Sequence, residues 1–460
     1  MRILLAGLAG VGLLIPVAAA GQTSTPDTDP ARLTRTALTS SVIQLSLGDA
    51  IARGLQYNLT AILQDEQRHL ASSARLEALA ALIPHVSGTV RESVQVLNTA
   101  SFGFTFPGLP TLLGPFPLFD ARVAMSAPLF DPRALAELRH ERANERAVAA
   151  DYRSVRETVI LAVGNLYLQV VADQARLDAV HSQLATAEAL VQLMTDRNAS
   201  GLVARIEVLR QQVQLENARA TLIATENELA KRRLQLARAV GLDAAQPYDL
   251  TDRVTFTPAP AMSVDEAVTR ATSHRQDLRA AEARLEAARA ANSSALARHS
   301  PSLRVDGDVG LLGPTARSAE RTYSVAATVH VPIFDGNEGR AQAAAADAVV
   351  RQREAELADV ATALRFDVSA ALLDVSAAAA AVDVARSAEA LAREELTQAE
   401  DRVRAGVASS IELTQAQEAV SHGTEQYIAS VYNHTIAKAS LARALGEVDT
   451  QFLALVGGRP

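Results

Sequence analysis

The chain has 460 residues, a formal net charge of -8 and no cysteine. Without cysteine it can form no disulfide and offers no thiol for lipid attachment. It carries no basic stripe to neutralise phosphates, so nucleic acid is excluded as a partner. Length alone leaves room for roughly two or three ordinary domains.

Residues 1–20 read as a cleavable secretory signal. Arg2 supplies the positive start, residues 4–17 form an apolar core too short to span a bilayer, and Ala18, Ala19 and Ala20 are the small residues a signal peptidase needs. Residues 21–44 are an N-terminal extension. No later segment reads as a membrane helix. The best candidate, 370–385, is mostly alanine and contains Asp374 and Asp383. Each carboxylate would cost roughly 2.5–3.5 kcal/mol at the bilayer centre. Entry into a membrane must therefore be by strands.

A first unit covers 45–241. After Pro84 the even positions Val86, Gly88, Val90, Val94 and Val96 are apolar or small, while His85, Ser87, Thr89, Arg91, Ser93 and Gln95 face the other way. Glu92 is the one break. The return segment Ala121, Val123, Met125 and Ala127 alternates in the same way, which predicts a strand pair at about 85–128. Residues 101–119 hold five phenylalanines among prolines and glycines and read as an ordered loop joining the two strands. The period then becomes helical, and a helical hairpin is predicted at about 133–241. Its first seam runs through Val155, Val159, Ala162, Leu166, Leu177, Val180, Leu184, Ala187, Val191 and Met194, with Gln169 and Asp173 as polar interruptions. No proline interrupts 133–198, so this helix should be roughly 100 Å long at 1.5 Å per residue. Beyond Gly201, Val208, Leu215, Leu222, Leu229 and Leu236 recur every seven residues, the heptad of coiled-coil packing.

A proline-bearing linker at 242–261 precedes a second unit at 262–446, and a tail covers 447–460. The second unit repeats the first. Leu45-Ser-Leu-Gly-Asp-Ala-Ile51 returns as Met262-Ser-Val-Asp-Glu-Ala-Val268, at an offset of 217. Ala127-Pro-Leu-Phe-Asp131 returns as Val331-Pro-Ile-Phe-Asp335. The stretch from Gly201 to Gly241 matches that from Gly406 to Gly446 at an offset of 205. Its strand pair, about 302–331, puts Leu303, Val305, Gly307, Val309 and Leu311, then Tyr323, Val325, Ala327, Val329 and Val331, on one face. Arg304, Asp306 and Asp308 lie opposite. Its hairpin is predicted at about 338–446, with the heptad Leu413, Val420, Tyr427, His434 and Leu441. Two copies make this an internal duplication and not a solenoid.

Four strands cannot close a membrane barrel, which starts at about eight, and an open sheet edge cannot sit in lipid. Other copies of the chain must complete it. Two copies give a bore filled by side chains, whereas three give twelve strands and a lumen suited to the polar strand faces. The fold class is mainly α with a membrane β-barrel, built by a homotrimer in membrane lipid. Val86, Val90, Val94, Val305, Val309, Val325 and Val329 are the expected lipid-facing residues. The alternative is a periplasmic coiled-coil scaffold or adaptor without a pore, which explains the heptads but not the two-faced strands.

No enzymatic constellation emerges, and neither cofactor nor metal is expected. His140-Glu141 begins like a zinc-binding HExxH, but Asn144 stands where the second histidine belongs. His434 reads as a satisfied interhelical histidine.

The duplicated order of short helix, strand pair and long helical hairpin resembles the TolC-like outer-membrane efflux proteins over nearly the whole mature chain. The most specific segments are Arg197-Asn-Ala-Ser-Gly201-Leu-Val-Ala-Arg-Ile-Glu-Val208 and Arg402-Val-Arg-Ala-Gly406-Val-Ala-Ser-Ser-Ile-Glu-Leu413. The family places a glycine at such a turn and an acidic residue on the returning helix. The resemblance implies a trimer with a twelve-strand barrel and a periplasmic α-helical tunnel, working with a periplasmic adaptor (membrane fusion) protein and an inner-membrane pump. It places adaptor docking at Gly201, Leu202, Val203, Gly406 and Val407, and a pore gate at Glu207, Glu412, Gln415 and Arg205. The family's closed-tip tyrosine falls on Val403, its arginine on Ala408 and its second acidic ring on Gln415.

Overall fold

The computed structural model describes residues 41–102, 110–252, 255–405, 407, 410–449 and 452. The signal reading of 1–20, the phenylalanines at 104 and 106, and the expected docking residue Gly406 lie outside them.

Strand β1 (Ile43–Leu45) leads into helices α1 (Leu47–Tyr57) and α2 (Leu59–Ala80). Ser46 and Asp49 cap α1 reciprocally, and the Asn58 side chain accepts the Thr60 amide at 2.9 Å to start α2. The second unit repeats this pair as α5 (Val264–His274) and α6 (Gln276–Leu296), with Ser263 accepting the Glu266 amide at 3.3 Å. The linker does more than join the units. Its residues Tyr248–Leu250 form β4, which pairs in parallel with β1. Beneath that pair the Tyr167 hydroxyl, fully buried, lies 3.0 Å from the Leu45 carbonyl and 2.8 Å from Asp252 Oδ2. Asp252 also accepts the Leu47 amide at 2.7 Å. A proline count alone hides a strand of three residues.

The membrane-type strands are β2 (His85–Asn98), β3 (Leu112–Phe130), β5 (Ser302–Gly313) and β6 (Glu320–His330), in the antiparallel order β2-β3-β5-β6. Register puts Val90 beside Ala121, Ala121 beside Leu311, and Leu311 beside Arg321. Directly opposed residues share a face, so all seven valines named above lie on one side. Val90 is 77% exposed and Val325 76% exposed on that side. On the other face the Arg122 guanidinium contacts Asp120 at 2.7 Å and Asp308 at 3.3 Å, and the Ser324 hydroxyl donates to Asp308. Strand β3 begins at Leu112, so Phe116 and Phe119 are strand residues and not loop. Pro115 and Pro117 disguise it. They sit where β3 pairs only with β2, since its pairing with β5 runs from Phe119 to Phe130, and a missing amide is tolerated on such an open side.

Asp131 caps α3 (Pro132–Ala199), whose 68 residues run for about 100 Å. It forms one hairpin with α4 (Arg205–Ala239), and α7 (Glu338–Arg404) forms the other with α8 (Ser410–Leu445). Helix α6 packs between α3 and α7 and joins the repeats. The main core gathers Val159, Ile160, Val163, Tyr167, Leu168, Leu236 and Val240 around β1 and α1. Ala162, expected in the seam, is exposed instead, because α1 turns the buried face toward Val163 and Tyr167. The polar interruptions are answered from α4: Arg232 donates to Gln169 Oε1 at 2.8 Å and lies 3.6 Å from Asp173. Contrary to the sequence reading, α3 and α7 each contain an 18-residue window apolar enough by composition to cross a bilayer. In α7 the alanine run 377–381 contributes to it, and both helices instead pair within hairpins.

Candidate functional site

The two hairpin tips form one composite end. Gly201 takes φ 71°, the left-handed conformation that ends a helix most cheaply as glycine. The Gly201 amide donates to the Asn198 carbonyl, and the Leu202 amide to the Arg197 carbonyl, both at 2.9 Å. Asn198 Nδ2 donates to the Val203 carbonyl at 2.8 Å and closes the turn. The second tip repeats the outer bond, with the Val407 amide on the Arg402 carbonyl at 3.0 Å. Both turns present an apolar side chain to solvent, Leu202 and Val407, each 68% exposed. Ile206 and Ile411 repeat that exposure at the same offset.

Beneath the tips Leu190, Met194, Ala399, Val403, Leu413 and Ala416 make a small core, with Val208 against it. Val403 is therefore packing, not a polar link. Two other contacts bind the hairpins there. The Arg197 guanidinium donates to the Val403 carbonyl, and Gln211 Nε2 donates to Thr414 Oγ1 at 3.2 Å. Sequence reasoning passed over both. The available signal for Gln211 was a polar residue on the apolar heptad stripe between Val208 and Leu215.

The acidic residues are both paired. Glu412 lies 2.8 Å from Arg402 across the tip, and Glu207 lies 2.9 Å from Arg210 one turn along its own helix. Arg205 is exposed at the start of α4, and Gln415 is exposed one turn beyond Glu412. The residue expected at the family's arginine position, Ala408, lies outside the described residues.

His140 Nδ1 meets the Ala287 carbonyl at 2.8 Å, a helix-packing contact between α3 and α6. His434 is 1% exposed but not satisfied as expected: neither ring nitrogen has a hydrogen-bond partner. It packs on the Phe256 ring at 4.8 Å, and burial, with Lys438 nearby, pushes its imidazole below the usual range. Neutral imidazole tolerates that apolar setting.

Glu157, on α3, is a buried carboxyl that burial and then Asp449 and Asp277 push up to about 7. Its folded value exceeds its unfolded one, so it costs nothing below pH 4.5, and the penalty grows between pH 4.5 and about 7 and is constant above that. Glu157→Gln should match wild type near pH 4.5 and be more stable at pH 8, by up to about 3 kcal/mol. Thermal denaturation of both proteins across that range reads it; a gain independent of pH would refute the ionisation account.

Known proteins share this fold. The chain is 27% identical over 215 residues to the pyoverdine export outer membrane protein OpmQ of Pseudomonas aeruginosa, covering 45% of this chain and 44% of that protein. The OpmQ of Pseudomonas putida is 26% identical over 305 residues, 64% of this chain and 63% of its own length. The chain thus spans less than two thirds of either relative. In fold it is similar to the outer membrane protein VceC from Vibrio cholerae, with a TM-score of 0.74 at 18% identity, over 87% of this chain and 96% of that one. The outer membrane efflux protein family matches residues 58–242 and 267–447, taking in both repeats, and the chain belongs to that family.

Proposed function

We propose that the protein is the outer-membrane channel of a tripartite efflux or type I secretion system, carrying substrates from the periplasm or an inner-membrane pump to the exterior. One observation carries this reading: a four-stranded sheet, largely apolar on one face and polar on the other, with both edges unpaired among the described residues, stands beside hairpins whose first helices, α3 and α7, are each about 100 Å long. Three copies would close twelve strands around a wet lumen and leave no edge in lipid. Phe366, Leu373, Val384 and Leu391, each at least 67% exposed along α7, supply apolar surface for neighbouring copies. In this arrangement Gly201, Leu202, Val203, Gly406 and Val407 dock a periplasmic adaptor. Glu207, Glu412, Gln415 and Arg205 line the narrow end.

Cysteine scanning tests the barrel. A membrane-impermeant thiol reagent should label single cysteines at Arg304, Asp306 and Thr328 and spare those at Val305, Val309 and Val325. Uniform labelling, with fractionation away from outer membranes, would point instead to a periplasmic scaffold.

A further inference from the structure

The apolar sheet face carries two charges, and they lie on the two edge strands. Glu92 of β2 sits opposite Phe119, and Arg321 of β6 sits opposite Leu311. Both are exposed, and among the described residues neither side chain has an ion-pair or hydrogen-bond partner. A lone charge facing lipid is costly, and each sign occurs on a different free edge. We propose that these residues meet across the seam between copies, Arg321 of one chain pairing with Glu92 of the partner subunit, and that they fix the register of closure. This rests on the barrel reading above.

The register follows from three constraints. An odd step between chains would turn the apolar face of β2 toward the lumen, so the step is even. Twelve strands tilted by about 35–45°, with a rise of about 3.3 Å and a spacing of about 4.8 Å, need a step of about four to six residues per chain. A step of four pairs every residue of β6, from Glu320 beside Gln95 of the partner subunit to His330 beside His85 of the partner subunit. It stops where β2 loses its regular pairing, between Gln95 and Leu97. A step of six also pairs every residue of β6 but carries it past that irregularity, setting Glu320 beside Leu97 of the partner subunit.

In the step of four, Val325 faces Val90 of the partner subunit and Tyr323 faces Glu92 of the partner subunit. Arg321 is then diagonal to that glutamate, a separation of about 7–8 Å that a long side chain bridges. In the step of six the two charges are two rows apart and do not meet. Pairing confined to the regular part of β2 and charge complementarity thus select the same register.

The protein has no cysteine of its own, so paired cysteines report the seam directly. Oxidation of Val90→Cys/Val325→Cys should link the subunits covalently, while Val90→Cys/Ala327→Cys, which matches a step of six, should not. The reverse result, or no linking in a trimer that fractionates with outer membranes, overturns the register and leaves the barrel standing. A monomer absent from outer membranes overturns the barrel itself, and the seam with it. Glu92→Arg or Arg321→Glu alone should lower heat-resistant trimer by about tenfold, and the two together should restore it to within about threefold. Failure of the double exchange to restore the trimer removes the ion pair.

Discussion

Replacing Gly201 and Gly406 together by leucine is expected to abolish export while trimer yield and outer-membrane insertion stay at the wild-type level. The separation of effects comes from the geometry of the turn. At Gly201 φ is 71°, so any L side chain there is strained by about 1–2 kcal/mol, small for a fold of this size and confined to the tip. An added Cβ would meet nothing within 4 Å. The chain can therefore accommodate the larger residue, and the open space it fills is the space a docking partner needs. Gly406 holds the same place in the repeat, followed by the same amide-to-carbonyl bond from Val407 to Arg402. Whole-cell accumulation of a fluorescent efflux dye, with trimer measured in parallel, reads both quantities. Undiminished export by the double variant would remove the turns from adaptor docking.

Conductance at the narrow end should respond in opposite directions to two neighbouring substitutions. Arg402 lies 2.8 Å from Glu412, so each carboxylate that reaches the axis brings a partly compensating guanidinium. Glu412→Gln should lower the cation selectivity of the trimer in planar bilayers and weaken block by multivalent cations from the periplasmic side. Arg402→Ala should raise both, because three carboxylates would then stand without counter-charge around a narrow pore. Reversal potentials in a salt gradient measure the change. If the two variants shift selectivity in the same direction, or neither shifts it, Glu412 is not at the constriction.

Much of this architecture was legible because it rests on periodicity. Alternation by two placed Val86, Val90, Val305 and Val325 on one face, and the heptad placed Leu229, Leu236, Leu413 and Leu441 in buried positions. What escaped was structure whose signal is shorter than a period or is interrupted. Strand β4 is only three residues long, and Pro115 and Pro117 break the visible pattern of β3. The tips were legible by their glycines, since a left-handed turn narrows the residue choice sharply. The contacts that join them were not. Arg197 reaches a carbonyl that every residue possesses and leaves no local trace, whereas Gln211 shows only as a polar break in the heptad stripe, with nothing to point to Thr414 across 203 positions of sequence.

The bond from Arg197 to the Val403 carbonyl makes the two halves of the tip unequal before mutation. Any motion that draws the α7–α8 tip away from the α3–α4 tip must break it. Its acceptor is main chain, so substitutions at 403 that keep the backbone in place also keep the latch. Heritable loosening of this contact is thus concentrated on the donor side, where one codon change at 197 removes it. A screen for leaky channels should recover position 197 repeatedly and position 403 only through changes that disturb its buried packing.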